Sequence, residues 1–274
     1  MRLQPLVPKS EDALDPIRSV GDAPAEIPAE EVQIDSTLEA FPIRELPSNF
    51  LPYQKKELVI RGLTVGEIKA TSRLQGSFQY SIVAKLIGPS IQGADVMQMP
   101  PADFKALLLY ISFITDASHT ITLQGVCPYC SALNLVEQQF PDLEFSELED
   151  LKVELKMPEG EPWIFRYIQV ADMIFLESKA LEEANEADVP FLALAASGMP
   201  HPPKEESLED VKAFWANVDR LKKLPARTYY KPLDKLERRV LPDIHPVSVG
   251  ACRSCMNPFR IQPEIYPSAL FSTS

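Results

Sequence analysis

All four cysteines of this chain occur in two pairs with the spacing that metal-binding turns use. The pairs occupy residues 127–130 (CPYC) and 252–255 (CRSC), and each lies between short β-prone runs. A C-x-x-C turn lets two sulfurs approach one ion while backbone N–H groups stabilise their negative charge. Two such turns facing each other supply the four tetrahedral thiolates that structural zinc takes. We therefore predict that the chain binds one structural metal ion, with zinc favoured, through Cys127, Cys130, Cys252 and Cys255.

The two pairs lie far apart in the chain, with 121 residues between Cys130 and Cys252. The pairs of a compact zinc ribbon are usually separated by about 15–20 residues, so this spacing indicates a clamp between distant segments. Loop-closure entropy grows slowly with loop length, and a structural zinc site supplies on the order of 10 kcal/mol at neutral pH. We therefore expect the metal to pin the C-terminal segment to the central part of the body.

Several other interpretations of four thiols stay open at this point. An iron–sulfur cluster also takes four thiolates and is the main alternative to zinc. Disulfides fit poorly with a chain expected in a reducing cytoplasm, a thioredoxin-like motif requires a C-x-x-C at a helix N-terminus, and the thiols could also be free. Four sulfur ligands leave no open coordination position, which favours a structural over a catalytic ion. His245, seven residues before Cys252, is the only credible substitute ligand among the three histidines.

Short strands and amphipathic helices must position these turns. Thr64 and Glu67 have the spacing of a capping box and predict the start of a helix. Apolar residues at helical or alternating spacing predict the other elements. Helices are predicted at residues 78–87, 104–114, 170–187, 189–197 and 207–224, and strands at 58–61, 119–123, 133–136, 151–155 and 163–167. The predicted fold class is α+β: a mostly helical body with short antiparallel β-hairpins and a split four-cysteine site that resembles a zinc ribbon.

The first 45 residues differ from the rest of the chain. The chain has 26 prolines and 10 glycines, about double the usual share of proline. Six prolines fall within residues 1–45, and no aromatic residue occurs before Phe41. Such a segment cannot form a core of its own, and its prolines favour extended backbone. We therefore divide the chain into an extended N-terminal arm, residues 1–45, that binds partners, and a single α+β body, residues 46–274, closed by the metal clip.

Composition and motifs argue against several classes of function. The net charge is −12, whereas proteins that bind the backbone of DNA or RNA concentrate Lys and Arg, so we expect no direct nucleic-acid binding. No apolar run reaches the length of about 18 residues that a membrane span needs. The sequence has no G-x-S-x-G, phosphate loop, G-x-G-x-x-G or H-E-x-x-H. We therefore expect a protein that is not an enzyme, with a redox or iron–sulfur enzyme as the weaker alternative.

A set of short motifs between residues 44 and 170 resembles a known family. These are the Leu-Pro-Ser segment at 46–48, Tyr53, the Val-Ile-Arg-Gly-Leu-Thr run at 59–64 with Glu67, and the Cys-Pro-Tyr-Cys turn at 127–130. Together they resemble the baseplate hub subunit family of contractile-tailed, T-even type bacteriophages. Members of that family often have proline where this chain has Gly62, and the arm and the second cysteine pair lie outside the matched part.

The resemblance implies a structural or assembly protein of the virion, built into the tail baseplate after synthesis in the cytoplasm of the bacterial host. Its implied partners are other baseplate hub, wedge or tail-tube proteins, with several copies of the chain in a symmetric assembly. The arm agrees with this function, because extended segments that order on neighbours can cover wide surfaces. The alternative is a metal-binding assembly chaperone or adaptor that is not retained in the particle.

Overall fold

Helices and short antiparallel sheets alternate along the chain, which confirms the mixed α+β class. The computed structural model describes residues 17–19, 39–54, 57–72, 79–115, 120–139, 144–145, 147–157, 160–180, 189–241, 244–245 and 247–261. Within these ranges the helices are α1 (Val65–Ser72), α2 (Tyr80–Ile87), α3 (Pro101–Thr115), α4 (Val170–Phe175), α5 (Val189–Ser197), α6 (Leu208–Lys222) and α7 (Ala226–Val240). The strands are β1 (Ile17–Ser19), β2 (Ala40–Ile43), β3 (Leu58–Arg61), β4 (Ile91–Gln92), β5 (Thr120–Val126), β6 (Leu133–Gln139), β7 (Lys152–Leu155), β8 (Trp163–Arg166), β9 (Val247–Val249) and β10 (Phe259–Ile261).

The strands form four small antiparallel sheets in the described part of the chain. Their strand orders are β2-β3-β4, β1-β7-β8, β5-β6 and β9-β10. In the β5–β6 hairpin Val126 is directly opposite Leu133, so the first cysteine pair lies in the connection between these two strands. The second pair lies in the same way between β9 and β10, whose register places Val249 opposite Phe259. Each pair of cysteines is therefore held by the end of a hairpin.

The first hydrophobic core surrounds α3. This helix begins with Pro101, a residue favoured at the first helical position, and it is buried on nearly every side, which is typical of a helix inside a core. Helix α2, the β2-β3-β4 sheet and the β9–β10 hairpin pack in the same cluster. Their fully or nearly buried members include Leu58, Ile60, Val83, Ile87, Phe104, Leu107, Leu108, Phe259 and Ile261. The sheet that carries the second cysteine pair thus belongs to this core.

The second hydrophobic core forms between the β7–β8 hairpin and helices α4 to α7. Alternation along the two strands buries Val153, Leu155, Trp163 and Phe165 on one face. Gly198, just after α5, lies under the indole of Trp163, where a Cβ would come within 2.8 Å of the ring. The Trp163 indole N–H donates to the Gly198 carbonyl at 3.0 Å. A residue without a side chain is therefore required at the end of α5.

A buried ion pair joins the end of β8 to the start of α4 beside this second core. Arg166 donates two hydrogen bonds of 2.6 Å to the carboxylate of Asp172, and it also donates to the carbonyl of Met199 at 3.1 Å. The backbone N–H of Val170 donates to the Met99 carbonyl, and Met173 packs against both cores. The N-terminus of α4 therefore connects the two cores.

The structure confirms several predicted elements and corrects others. Thr64 and Glu67 form the predicted capping box, with the Thr64 N–H donating to Glu67 at 2.7 Å and the Glu67 N–H donating to Thr64 Oγ1 at 3.3 Å. Helix α5 has the predicted bounds, and Ser207 caps α6 through the Asp210 N–H. The helix predicted at 170–187 is wrong in its length: α4 ends at Phe175 and continues as a π-helical turn over Leu176–Ala180, and residues 181–187 lie outside the described residues.

Most of the predicted N-terminal arm lies outside the described residues, but two of its segments are described. Residues 17–19 form β1, which pairs with β7 and lies at the edge of the β7–β8 hairpin. Residues 40–43 form β2, which pairs with β3 in the sheet of the first core. The body therefore begins by residue 40, because a strand on the arm side of the predicted 45/46 boundary is part of its sheet. None of the helices among the described residues has the length and apolarity that a bilayer span needs.

Candidate metal centre

The first cysteine turn follows β5 without a break. The N–H of Cys127 donates to the Ala132 carbonyl at 2.9 Å, and the N–H of Ser131 donates back to the Cys127 carbonyl at 2.9 Å. Ser131 adopts a φ of 59°, in the left-handed region. These bonds close a tight turn in which Cys127 is buried and Cys130 is exposed.

The second cysteine turn repeats this arrangement between β9 and β10. The N–H of Cys252 donates to the Asn257 carbonyl at 3.0 Å, and the N–H of Met256 donates to the Cys252 carbonyl at 2.9 Å. Met256 has a φ of 62°, so both turns place the residue after their second cysteine in the left-handed conformation. Cys252 is buried and Cys255 is half-buried. Two turns of the same construction therefore face each other.

The four sulfurs that the sequence predicts as ligands come together at one point. All four lie within 4.8 Å of one another. Two distances join sulfurs from different turns: Cys127 Sγ lies 3.7 Å from Cys255 Sγ, and Cys130 Sγ lies 3.6 Å from Cys252 Sγ. Ligands placed about 2.3 Å from a zinc ion at the corners of a tetrahedron stand about 3.8 Å apart. The cluster can therefore hold one metal ion across 121 residues of intervening chain.

Hydrogen bonds to the sulfurs prepare the site for thiolates. The N–H of Ser254 donates to Cys252 Sγ at 3.4 Å, and the side-chain amide of Asn257 donates to Cys255 Sγ at 3.6 Å. The backbone N–H groups of Cys255 and Ser254 together lower the pKa of the Cys252 thiol to about 6. At Cys130 the N–H of Ala132 acts in the same direction, but desolvation and hydrogen bonds with the other three thiols raise the pKa to about 11. The pKa of the Cys252 thiol is therefore lower than that of the Cys130 thiol.

No protein-family model, curated protein or solved structure matches this chain. What the centre can do therefore follows from its own residues. All four cysteines are free, and their sulfurs stand well beyond the bonding distance of about 2.05 Å for a disulfide. Neither pair begins a helix, which removes the thioredoxin-like interpretation. His245 is exposed and is not a member of the group of ligand atoms found among the described residues.

Asn134 on β6 is a residue of the centre that the sequence analysis did not identify. It is 2% exposed, and its side-chain amide donates to Cys252 Sγ at 3.6 Å. Its carbonyl oxygen accepts the N–H of Arg253 at 3.0 Å. Its position four residues after Cys130 carries no recognised signal, because its partners lie almost 120 residues later in the chain. Only the fold brings this amide to the second turn.

Proposed function

We propose that the four cysteines bind a single structural zinc ion that closes the body of the protein. The observation that carries this proposal is the pair of short distances between the two turns, 3.6 and 3.7 Å, which match the edges of a zinc–thiolate tetrahedron. A cluster with two or four irons distributes its thiolates over several metal atoms, so it requires wider separations between sulfurs. Four protein ligands leave no position for a substrate, so the proposed role of the ion is structural.

Elemental analysis of the reduced, purified protein tests this proposal. We expect about one zinc per chain and a colourless solution. Cys252→Ser should abolish stoichiometric zinc, whereas Ser254→Ala, which alters the same turn but keeps every thiol and the backbone N–H, should retain it. Iron with visible absorption would replace zinc by an iron–thiolate centre, and a protein without any metal would contradict the site.

We propose further that the chain is a non-enzymatic structural subunit of a contractile phage tail baseplate. The residues that carry the family resemblance support this proposal because they form two sets of contacts within the body. Ser48 N–H and the Tyr53 hydroxyl each donate to the buried carboxylate of Asp103 at 2.8 Å. Arg61 forms a bidentate pair with Glu67, at 2.8 and 2.9 Å. In a structural protein such residues are expected to hold the chain's own segments together.

The surface next to the metal centre supports binding to proteins. Five large apolar side chains are exposed on the two turns and the adjoining hairpin, at 47–71% of their full area: Val126, Tyr129, Leu133, Leu135 and Met256. Val126 and Leu133 are cross-strand neighbours, and Leu135 lies two residues after Leu133 in β6, so these three side chains share one face of the hairpin. Exposed apolar patches of this kind mark protein–protein contacts. The proposed partners are neighbouring hub, wedge or tail-tube subunits.

Mass spectrometry of purified phage particles separates this function from its alternative. A baseplate subunit should be present at a fixed copy number, whereas an assembly chaperone should be found in infected cells but not in particles. Deletion of residues 1–38, which keeps β2, tests the arm. We expect the melting temperature of the isolated body to fall by only a few degrees while incorporation into the baseplate is impaired. A large fall would mean that the arm mainly packs on its own chain, as β1 does.

A further inference from the structure

We propose that Asn134 is a positioning residue that couples the two cysteine turns to each other before the metal binds. The inference rests on the proposed metal site and names the side chain that sets its affinity. Asn134 stands on β6, immediately after Leu133, and belongs to the hairpin of the first turn. Its side chain has three hydrogen-bond partners, of which Cys252 and Arg253 belong to the second turn.

The hydrogen bonds of Asn134 fix the orientation of its side-chain amide. The Nδ2 group has two hydrogens, and two acceptors face it: the Ala132 carbonyl at 2.9 Å and Cys252 Sγ at 3.6 Å. The Oδ1 atom faces the backbone N–H of Arg253, a donor, at 3.0 Å. The opposite orientation would place two donors against each other at Arg253. One buried amide therefore connects its own turn, the opposite turn and one ligand sulfur.

Asn257 provides a natural comparison for this role. Its side chain also donates to a ligand sulfur, Cys255 Sγ, at 3.6 Å, but donor and acceptor lie in the same turn. Asn257 is exposed, so water can replace its hydrogen bond, whereas Asn134 is 2% exposed and its partner Cys252 is 0% exposed, so a lost bond between these two side chains is not replaced by water. The two asparagines thus share one type of bond and differ in burial and in whether the bond crosses between turns.

Coupling through Asn134 has a consequence for metal uptake. A site whose four ligands are already gathered loses less conformational freedom when the ion binds than a site that must first bring two hairpins together. Outer hydrogen bonds of this kind typically change metal affinity by about 10–100-fold. Loss of Asn134 should therefore weaken zinc binding and also loosen the second turn in the metal-free protein.

The test uses the full chain with the variants Asn134→Ala, Asn134→Asp and Asn257→Ala. Zinc affinity is measured by competition with a chromogenic chelator, and amide exchange at Arg253 is measured by NMR in metal-free, reduced protein. We expect Asn134→Ala to weaken zinc binding about 10–100-fold and to speed exchange of the Arg253 amide. Asn257→Ala should change zinc affinity by less than about 3-fold and leave the Arg253 amide protected.

Asn134→Asp separates the two bonds of this side chain. Its carboxylate can still accept the Arg253 N–H but cannot donate to Cys252, so the amide should stay protected while zinc affinity falls. Cobalt-substituted protein adds a spectroscopic readout: loss of the donor to Cys252 should shift the sulfur-to-cobalt charge-transfer band in both Asn134 variants. A variant with only a packing defect would lower stability without that shift.

Three results decide whether Asn134 has this positioning role. Unchanged zinc affinity and an unchanged charge-transfer band in Asn134→Ala would overturn the positioning role while leaving the metal site intact. If Asn134→Ala does not fold, the Asn134→Asp measurements decide by the same criteria. A wild-type protein that takes up no zinc would contradict the proposed function itself, and the exchange rate of Arg253 in the metal-free variants would still show whether Asn134 couples the two turns.

Discussion

Gly125 in β5 lies so close to Ile261 in β10 that a Cβ at position 125 would come within 2.6 Å of Ile261 Cγ2 and 2.8 Å of its Cβ. The contact joins the two hairpins that carry the cysteine turns and involves none of the sulfurs. It is a third link between them, besides the cysteine cluster and Asn134.

Gly125→Ala should therefore separate the hairpins without removing any ligand. Because the backbone fixes the position of the Ile261 Cβ, that atom cannot rotate away, and overpacking of this kind costs about 1–3 kcal/mol. We expect a lower free energy of unfolding in urea and weaker zinc binding. Gly250→Ala is the matched control, since a Cβ there would meet no atom within 4 Å. Equal behaviour of the two variants would show that the contact is not constraining.

Cys255→Ser should loosen the C-terminal hairpin more than the core. Removal of one thiolate weakens the ion's hold on the second turn, whereas α3 keeps its own buried contacts. Hydrogen exchange should show loss of protection around residues 247–261 and 121–136, with a smaller change at 107–114. Because Phe259 and Ile261 are buried in the first core, we expect partial loss of protection. Wild-type protein stripped by a chelator should show the same pattern, and uniform loss would mean that the metal holds the whole fold.

Substitutions at Met256 test the left-handed conformation that the residue after the second cysteine adopts in both turns. The left-handed conformation destabilises a residue other than glycine by about 1–2 kcal/mol. Glycine avoids this steric cost but loses more backbone entropy on folding, which costs about 0.5–1 kcal/mol. Met256→Gly should therefore leave the zinc-bound protein equally stable or up to about 1 kcal/mol more stable, since the Met256 side chain is exposed. Met256→Val should destabilise it, because β-branched residues tolerate this conformation least. Thermal melts of the zinc-bound variants provide the comparison, and the opposite ranking would contradict the turn geometry.

Asp103 should make stability depend on pH. Burial raises its pKa from 3.8 to about 6, although hydrogen bonds from Ser48 and Tyr53 oppose the shift. The folded state therefore binds the proton more tightly than the unfolded state between about pH 4 and 6. Across this window the free energy of unfolding should fall by about 3 kcal/mol as pH rises, and this contribution should be constant above it.

Asp103→Asn removes this titration while keeping an acceptor for the Ser48 N–H. Urea unfolding of both proteins between pH 4.5 and 7.5 should give a wild-type minus variant difference that changes across the window. Any effect of metal release at low pH is common to both proteins and cancels in that difference. Parallel pH profiles would contradict the prediction.

The Arg166–Asp172 pair should be costly to break. Asp172 is fully buried and accepts two short bonds from Arg166, so Asp172→Ala leaves an uncompensated buried charge, at about 3–5 kcal/mol. The exposed pair of Arg238 and Asp234, with side chains 76% and 53% exposed, is the control: Asp234→Ala should cost no more than about 0.5 kcal/mol. Chemical denaturation of both variants measures the contrast, and similar losses would mean that water reaches Arg166.

Sequence patterns predicted the elements that are stabilised by interactions between residues close together in the chain. Helix α5 has the predicted bounds because an apolar run ends at Gly198, and the Thr64–Glu67 box forms because its two bonds close within one turn. Helix α7 was missed because it contains Pro232 and many charges. Its buried residues Tyr229, Leu236 and Val240 nevertheless lie at helical spacing, and this spacing is the sequence signal that could have predicted the helix.

Contacts between distant segments were predictable only where residue chemistry required them. Four paired cysteines implied one shared ion, so the cluster could be predicted across 121 residues. The sequence could not predict which sulfurs are neighbours across the two turns, since all four thiols are equivalent ligands. Asn134 and Asp103 are ordinary polar residues in the sequence, and their partners depend on how the hairpins and α3 pack.

The separation of the two cysteine turns along the chain also imposes an order on synthesis. Ribosomes extend a chain at about 5–20 residues per second, so Cys252 is added on the order of ten seconds after Cys130. During that interval the nascent chain contains the first pair of cysteines and lacks the second. A metal ion that arrives early meets only half of its ligands, and an oxidant meets a pair of adjacent, unprotected cysteines. With the zinc site proposed above, the ion can therefore be fully coordinated only after the second pair of cysteines has been synthesised, and the first pair stays open to oxidation until then.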